Sequence, residues 1–193
     1  MNVIGLTGKA GSGKTMISRA LSNKGFILHE LDKIGHKILY DIPAKLLMDN
    51  FGKDVVNKNG KVDRKKLGDI VFSSREKLMQ LNSLVHPKIF EEVKKRVTFY
   101  NESDHLIDGA LLFDIGLSKL CNCIIWIDCP EELAVERMGK KGISKEKAKN
   151  ILRSQKHLGN FKNNSDKIFV NDSSPDVLIN SIISFLKKKG IML

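Results

Sequence analysis

Between an apolar run, Val3 to Leu6, and a helix-like run that begins at Lys14 lies Gly8-Lys9-Ala10-Gly11-Ser12-Gly13-Lys14-Thr15, a complete G-x-x-x-x-G-K-[ST] pattern. No other feature constrains the chain as much. Three glycines let the backbone curl so that successive N–H groups face inward, and a helix starting where the curl ends adds the positive end of its dipole to the same anion site. Such a loop needs a buried strand before it and a helix after it, which commits this part of the chain to an α/β layer. Gly8, Ala10, Gly11, Ser12, Gly13, Lys14, Thr15 and Met16 are the candidate cradle for the phosphates of a nucleoside triphosphate. Lys14 bridges the terminal phosphates in such loops, which makes it a candidate catalytic residue, and the Thr15 hydroxyl is placed to ligate Mg²⁺.

Four further short apolar runs, Phe26–Leu28, Leu106–Ile107, Ile124–Ile127 and Lys167–Val170, read as buried parallel strands separated by helical stretches. Ile17, Ala20 and Leu21 give the helix after the loop an apolar face, and Gly25 is positioned to end it. Ser174-Pro175 starts the last helix, whose Leu178, Ile182, Phe185 and Leu186 form a stripe before Gly190. This alternation predicts a three-layer α/β fold with a parallel five-stranded sheet.

The stretch of about residues 33–104 interrupts that alternation and reads almost wholly helical. Pro43, the Asn57-Lys58-Asn59-Gly60 turn, caps at Asp63 and Ser73/Ser74, and Pro87 are expected to divide it into several helices. Leu78, Leu81 and Val85 supply one apolar face and Ile89, Val93 and Val97 another, while Phe51, Phe72, Leu81 and Phe90 are expected in the core of this insertion. A second stretch, about 139–162, is rich in lysine and asparagine and reads as a lid over phosphates. The expected organisation is one domain over 1–193, with its core at about 1–32, 105–138 and 163–193, an acceptor-binding insertion at about 33–104 and the lid at about 139–162.

A formal charge of +11 over 193 residues raises nucleic acid as a partner. The lysines are scattered rather than gathered into an arginine-rich tail or an aromatic-basic stripe, so most read as solvated surface and no nucleic-acid partner is expected. The N-terminus has no basic lead before a long apolar core, and no run approaches membrane-spanning length, so a cytoplasmic chain without a membrane partner is expected. Three cysteines, Cys121, Cys123 and Cys129, are an odd number without paired C-x-x-C spacing and read as buried inert thiols.

The loop alone leaves kinases, GTPases, ATPases and motors open. A GTPase needs a base-reading N-K-x-D, and Asn57-Lys58-Asn59-Gly60 lacks its aspartate; larger ATPases need more chain. A small-molecule kinase remains, with a nucleoside, nucleotide or shikimate-like acceptor as alternatives and a nucleic-acid-binding ATPase as the reading from another class.

Further residues narrow the choice. Asn50-Phe51-Gly52, Gly60, Asp63-Arg64, Leu67, Ile70-Val71-Phe72, Leu81-Asn82 and His86-Pro87 stand in the order and spacing of a block found in dephospho-coenzyme A kinases, and the chain resembles that family over nearly its whole length. Ile27 to Asp32 is similar to the family's I/V-x-x-D-x-D element with Glu30 for the first aspartate, and Asp108-Gly109-Ala110-Leu111-Leu112-Phe113-Asp114 to its D-x-P-L-L-F-E. Pro130-Glu131, Arg137, Ser144, Gln155, Asp166 and Asn171 follow its lid and final-strand pattern, with Lys140 where a lid arginine is usual.

The resemblance implies a P-loop kinase that uses ATP and Mg²⁺ to phosphorylate the ribose 3′-hydroxyl of dephospho-coenzyme A, giving coenzyme A; a monomer or weak homo-oligomer is expected. Asp32, at the carboxyl end of the second strand, is the candidate base, with helix capping as its structural alternative. Asp108 is a candidate for a Mg²⁺-bound water, or caps a turn. The family pattern assigns Arg64, His86 and Leu111 to the acceptor and Arg137 and Lys140 to the triphosphate, and Asn171 is expected beside the adenine of the nucleotide. For Arg64, Arg137 and Lys140 the alternative is a solvated charge, for His86 a helix end, and for Asn171 a turn.

Overall fold

All five residues of β1 (Val3–Thr7) are buried, which is why it reads as an unbroken apolar run rather than an alternating one. The computed structural model describes residues 1–172 and 174–191. After β1 come α1 (Lys14–Ser22), β2 (Ile27–Glu30), α2 (Leu31–Asp41), α3 (Ala44–Phe51), α4 (Arg64–Ser73), α5 (Arg75–Phe99), β3 (His105–Asp108), β4 (Cys123–Asp128), α6 (Glu131–Gly139), α7 (Lys145–Ser154), β5 (Lys167–Val170) and α8 (Pro175–Lys188). The five strands form one sheet in the order β2-β3-β1-β4-β5, every pair parallel. This is the parallel five-stranded sheet expected from the spacing of apolar runs. Phe26 is buried but precedes β2, which starts one residue later than its apolar run.

Two compact units make up the chain, one from Met1–Glu30 and Arg96 onward, the other Leu31–Lys95. In the first, the sheet side chains alternate. Ile4 and Leu6 join Ile17 and Leu21 of α1 and Leu178, Ile182 and Leu186 of α8 in one core. Between them Gly5 points to the other face, where a Cβ would press on Leu112 and Cys121, so close packing as well as strand pairing needs glycine there.

The second unit is helical around Leu39, Leu47, Phe51, Val55, Leu67 and Val71, with Leu78, Leu81 and Val85 packed against them. Two of its expected caps, Asp63 and Ser74, act as such. The Asp63 side chain accepts from the Lys65 and Lys66 amides at 3.1 Å, and Ser74 Oγ accepts from Lys77 N at 3.3 Å, while Ser73 belongs to α4 itself. The 57–60 turn is closed by a Val56–Val62 antiparallel bridge.

Two expectations fail here. Pro87 does not divide the chain, because α5 runs through it for 25 residues. Proline removes the N–H that would reach the Ser83 carbonyl, but Ser83 is exposed and water can satisfy that oxygen. Leu81 and Val85 before the proline, and Ile89 and Val93 after it, are anchored by packing or burial and carry the helix past the missing bond. Phe72 is not core: it is 76% exposed, whereas Val71 beside it is buried, since α4 has only one inward face. Phe51 is buried, and Leu81 and Phe90 are partly so.

Candidate active site

The loop between β1 and α1 has the curl its glycines allow. Gly8, Gly11 and Gly13 have φ of 140, 76 and 93°, a region in which a side chain is strained. Space also forbids one: a Cβ on Gly8 would overlap the Ile127 carbonyl oxygen, and on Gly13 the Asn171 side-chain nitrogen. Lys14 Nζ donates to the carbonyls of Gly8 at 2.8 Å and Lys9 at 3.0 Å, folding back across the loop. Thr15 is exposed on the first turn of α1, Met16 is partly buried, and the Ser12 side chain is buried. The Ala10 amide donates to Gln155 Oε1 at 2.7 Å, so the end of α7 holds the crest of the loop.

A cleft of about 350 Å³ opens beside the loop, lined by Gly13, Lys14, Thr15, Arg137, Lys140 and Asn171 among others. Five of these six are loop or lid candidates, and Asn171 is the nucleotide candidate from the end of β5. Arg137, in the last turn of α6, donates from Nη1 to the Asn171 carbonyl at 3.1 Å and from Nη2 to Asn171 Oδ1 at 3.2 Å. It also donates to Cys129 Sγ at 3.3 Å. Burial pushes the Cys129 thiol up against the pull of Arg137, so this sulfur is a neutral acceptor. Lys140 follows α6 and pairs with Glu136 at 2.6 Å; both are exposed. α6 and α7 pack through Ala134, Met138, Ala148 and Leu152.

The carboxyl ends of the strands gather the acids. Asp108 ends β3 in register with Leu6 of β1 and Glu30 of β2, and is 9% exposed. Leu111 is partly buried in the turn that follows, which is fastened by Asp114 to His157 at 2.9 Å and by stacking of Phe113 on Phe161. At the end of β4, burial opposes the charge of Asp128, but the Lys162 ammonium 2.6 Å away and the Cys129 amide outweigh it and hold the carboxyl below its usual range. Thr15 and Asp108 offer a hydroxyl and a carboxylate, hard oxygens of the kind Mg²⁺ takes. Among the described residues no group of three or more His, Cys, Asp or Glu could hold a metal.

In the second unit, Asp32 is exposed on the first turn of α2. Arg64 opens α4 and donates from Nη2 to His36 Nε2 at 2.6 Å. Arginine has no acceptor to offer, so His36 presents a bare ring nitrogen; burial and then Arg64 lower its pKa, against Asp32, which raises it. His86 lies one residue before Pro87 within α5.

The model of the dephospho-CoA kinase family matches residues 2–176. The chain belongs to this family. A dephospho-CoA kinase of Carboxydothermus hydrogenoformans is 35% identical over 192 residues, 96% of this chain and 93% of that one. One of Fusobacterium nucleatum is 33% identical over 188 residues, 95% and 96% of the two chains. The dephospho-CoA kinase structure from Campylobacter jejuni matches with a TM-score of 0.73 at 28% identity, covering 99% of both chains. A shikimate kinase of Acinetobacter baumannii, at 15% identity and a TM-score of 0.56, shares the fold.

Sequence reasoning did not single out His36, the partner of Arg64, and read Gln155 only as part of the lid pattern rather than as a partner of the phosphate loop. His36 lies four residues after Asp32, the helical spacing that puts two side chains on one face, and that spacing could have found it. No local signal pairs Gln155 with Ala10, which is 145 residues away.

Proposed function

We propose that this chain transfers the γ-phosphoryl group of ATP to the ribose 3′-hydroxyl of dephospho-coenzyme A, giving coenzyme A and ADP. The observation that carries this is the family match over residues 2–176, which takes in the block from Asn50 to Pro87 as well as the phosphate loop. The loop alone would serve many acceptors.

The reaction needs its phosphates neutralised, its hydroxyl aligned and a group to take the proton. The loop amides from Gly11 to Met16 and Lys14 hold the β and γ phosphates, and Arg137 and Lys140 add positive charge at the leaving oxygens. Asp32 accepts the 3′-hydroxyl proton as that oxygen bonds to phosphorus and the bond from the γ-phosphorus to the ADP oxygen breaks. Arg64, His86 and Leu111 bind the acceptor, and the nucleotide extends past Asn171. Thr15 and, through water, Asp108 would hold Mg²⁺, which would supply charge neutralisation at the phosphates. The unit Leu31–Lys95 serves as the acceptor-binding insertion and residues 139–162 as the lid. We place the reaction in the cytoplasm, carried out by a monomer or weak homo-oligomer without nucleic acid or membrane.

A coupled phosphotransfer assay with ATP against dephospho-coenzyme A, AMP, CMP and uridine tests the assignment. Dephospho-coenzyme A should be the preferred acceptor by orders of magnitude in kcat/KM. Preference for any of the others would overturn it.

A further inference from the structure

Asn171 follows β5, and its main-chain N–H donates to the Asp128 carbonyl at 2.8 Å, extending the pairing with β4 by one residue. The residue is 2% exposed, so its side chain must find partners inside the protein. It finds two. Nδ2 donates to the Ser12 carbonyl of the phosphate loop at 2.8 Å, and Oδ1 accepts from Arg137 Nη2 at 3.2 Å. The neighbours fix which end is which, since a carbonyl only accepts and a guanidinium only donates. Among side chains of this size only a carboxamide both donates and accepts in this way.

The consequence for the loop follows from peptide geometry. In a trans peptide the carbonyl and the next N–H point in opposite directions, so holding the Ser12 oxygen turns the Gly13 N–H away from Asn171. Gly13 is the residue at which a Cβ would overlap the Asn171 amide, and this adds a packing reason to its positive φ. The same side chain fixes one edge of Arg137, whose second contact, to the Asn171 main-chain oxygen, completes a two-point grip.

We infer that Asn171 is a positioning residue that, through one side-chain amide, sets the Gly13 N–H and the Arg137 guanidinium for the polyphosphate. This rests on the reading that the loop and Arg137 hold the phosphates of ATP, and it is independent of the acceptor. Asn171 acts through the phosphate end of the nucleotide rather than by reading its base.

The probes are ADP and inorganic tripolyphosphate, which has no base, bound to the full chain and to Asn171→Leu and Asn171→Asp with melting temperatures recorded. Leucine removes both bonds. Aspartate keeps the size and the acceptor for Arg137 but sets an oxygen against the Ser12 carbonyl, so it carries the same expectation alone if the leucine variant does not fold. Both variants should lose at least fivefold in affinity for each probe while folded at the assay temperature. Arg137→Ala should cost less in the Asn171→Leu background than in the wild type, because the side-chain half of its grip is already gone while the main-chain contact remains. Unchanged tripolyphosphate binding in a folded variant overturns the inference, whether or not ADP binding falls. A chain that shows these losses yet ignores dephospho-coenzyme A keeps the inference and loses the acceptor assignment.

Discussion

The Lys14 ammonium rests on two carbonyl oxygens of its own loop, contacts that phosphate oxygens would replace with stronger, charge-assisted ones. Asp32 is the residue on which the proposed chemistry turns. It is the second residue of α2. Asn in its place keeps size and hydrogen bonding while removing the base, so single-turnover transfer should fall about 10²-fold or more with ATP affinity unchanged. An unchanged transfer rate would remove Asp32 from the chemistry.

A second residue-scale expectation concerns stability. His29 is buried, its Nε2 lies 2.9 Å from His105 Nδ1, and His105 Nε2 meets the Tyr100 carbonyl at 3.0 Å. The carbonyl makes His105 Nε2 the donor, so His29 Nε2 donates to His105. Burial, then His105 and Arg96, lower the His29 pKa from 6.5 to about 4. A group lowered in the folded state contributes stability that is full above pH 6.5 and is lost as pH falls toward 4. The loss amounts to about 3 kcal/mol. Denaturant melts at several pH values should show it, and His29→Gln should flatten that limb; an equally steep limb in the variant would assign the acid sensitivity elsewhere.

At the scale of elements, the loop crest is tied to the end of α7, and the turn after β3 to the 3-10 helix Lys156–Asn164 that follows α7. Gln155→Met has similar length and no acceptor, and leaves the Ala10 amide unpaired. We expect KM for ATP to rise severalfold with KM for the acceptor unmoved and the melting temperature nearly kept. Equal changes in both constants would make the contact merely structural. Between α2 and α4, Arg64 donates to His36 only while that ring nitrogen is bare. Burial and Arg64 hold the His36 pKa below its usual value, so the pair should survive at neutral pH and break in acid as two cations repel. KM for dephospho-coenzyme A should therefore rise below the ordinary imidazole range, more than KM for ATP. His36→Gln, which accepts without titrating, should level this dependence, and a persistent rise would clear His36 of it.

For the whole molecule, nucleotide that binds only the folded state stabilises it by mass action. ADP at about 100 times its Kd adds about 2.7 kcal/mol, which for a chain of this size raises Tm by roughly 5 to 10 °C. Differential scanning fluorimetry with and without ADP checks this. A full-sized shift in Asn171→Leu at the same ADP concentration would contradict the loss of affinity expected for it.

Local patterns carried far in this chain because the features they report are themselves local. Strands buried on both faces are apolar throughout, and a loop that turns main-chain amides inward must place glycine at fixed intervals; both can be read from neighbours in sequence. β5 is bounded as its apolar run, Lys167–Val170, and the Asp63 and Ser74 caps lie where short polar side chains precede helical runs. Pro87 and Phe72 misled for a different reason. Whether a proline ends a helix depends on what satisfies the freed carbonyl and what packs on either side, and whether a phenylalanine is core depends on the direction its helix faces. Those are tertiary facts. So are four contacts of the site that join residues 34 to 159 positions apart: Arg137 to Asn171, Lys162 to Asp128, Gln155 to Ala10 and Asn171 to Ser12. The sequence by itself determined the sheet, the phosphate loop and the family, because these rest on periodicity and short spacings. Only the tertiary structure decided which amide steadies which loop, because a hydrogen bond between distant residues is made by the packing of the strands and helices that carry them.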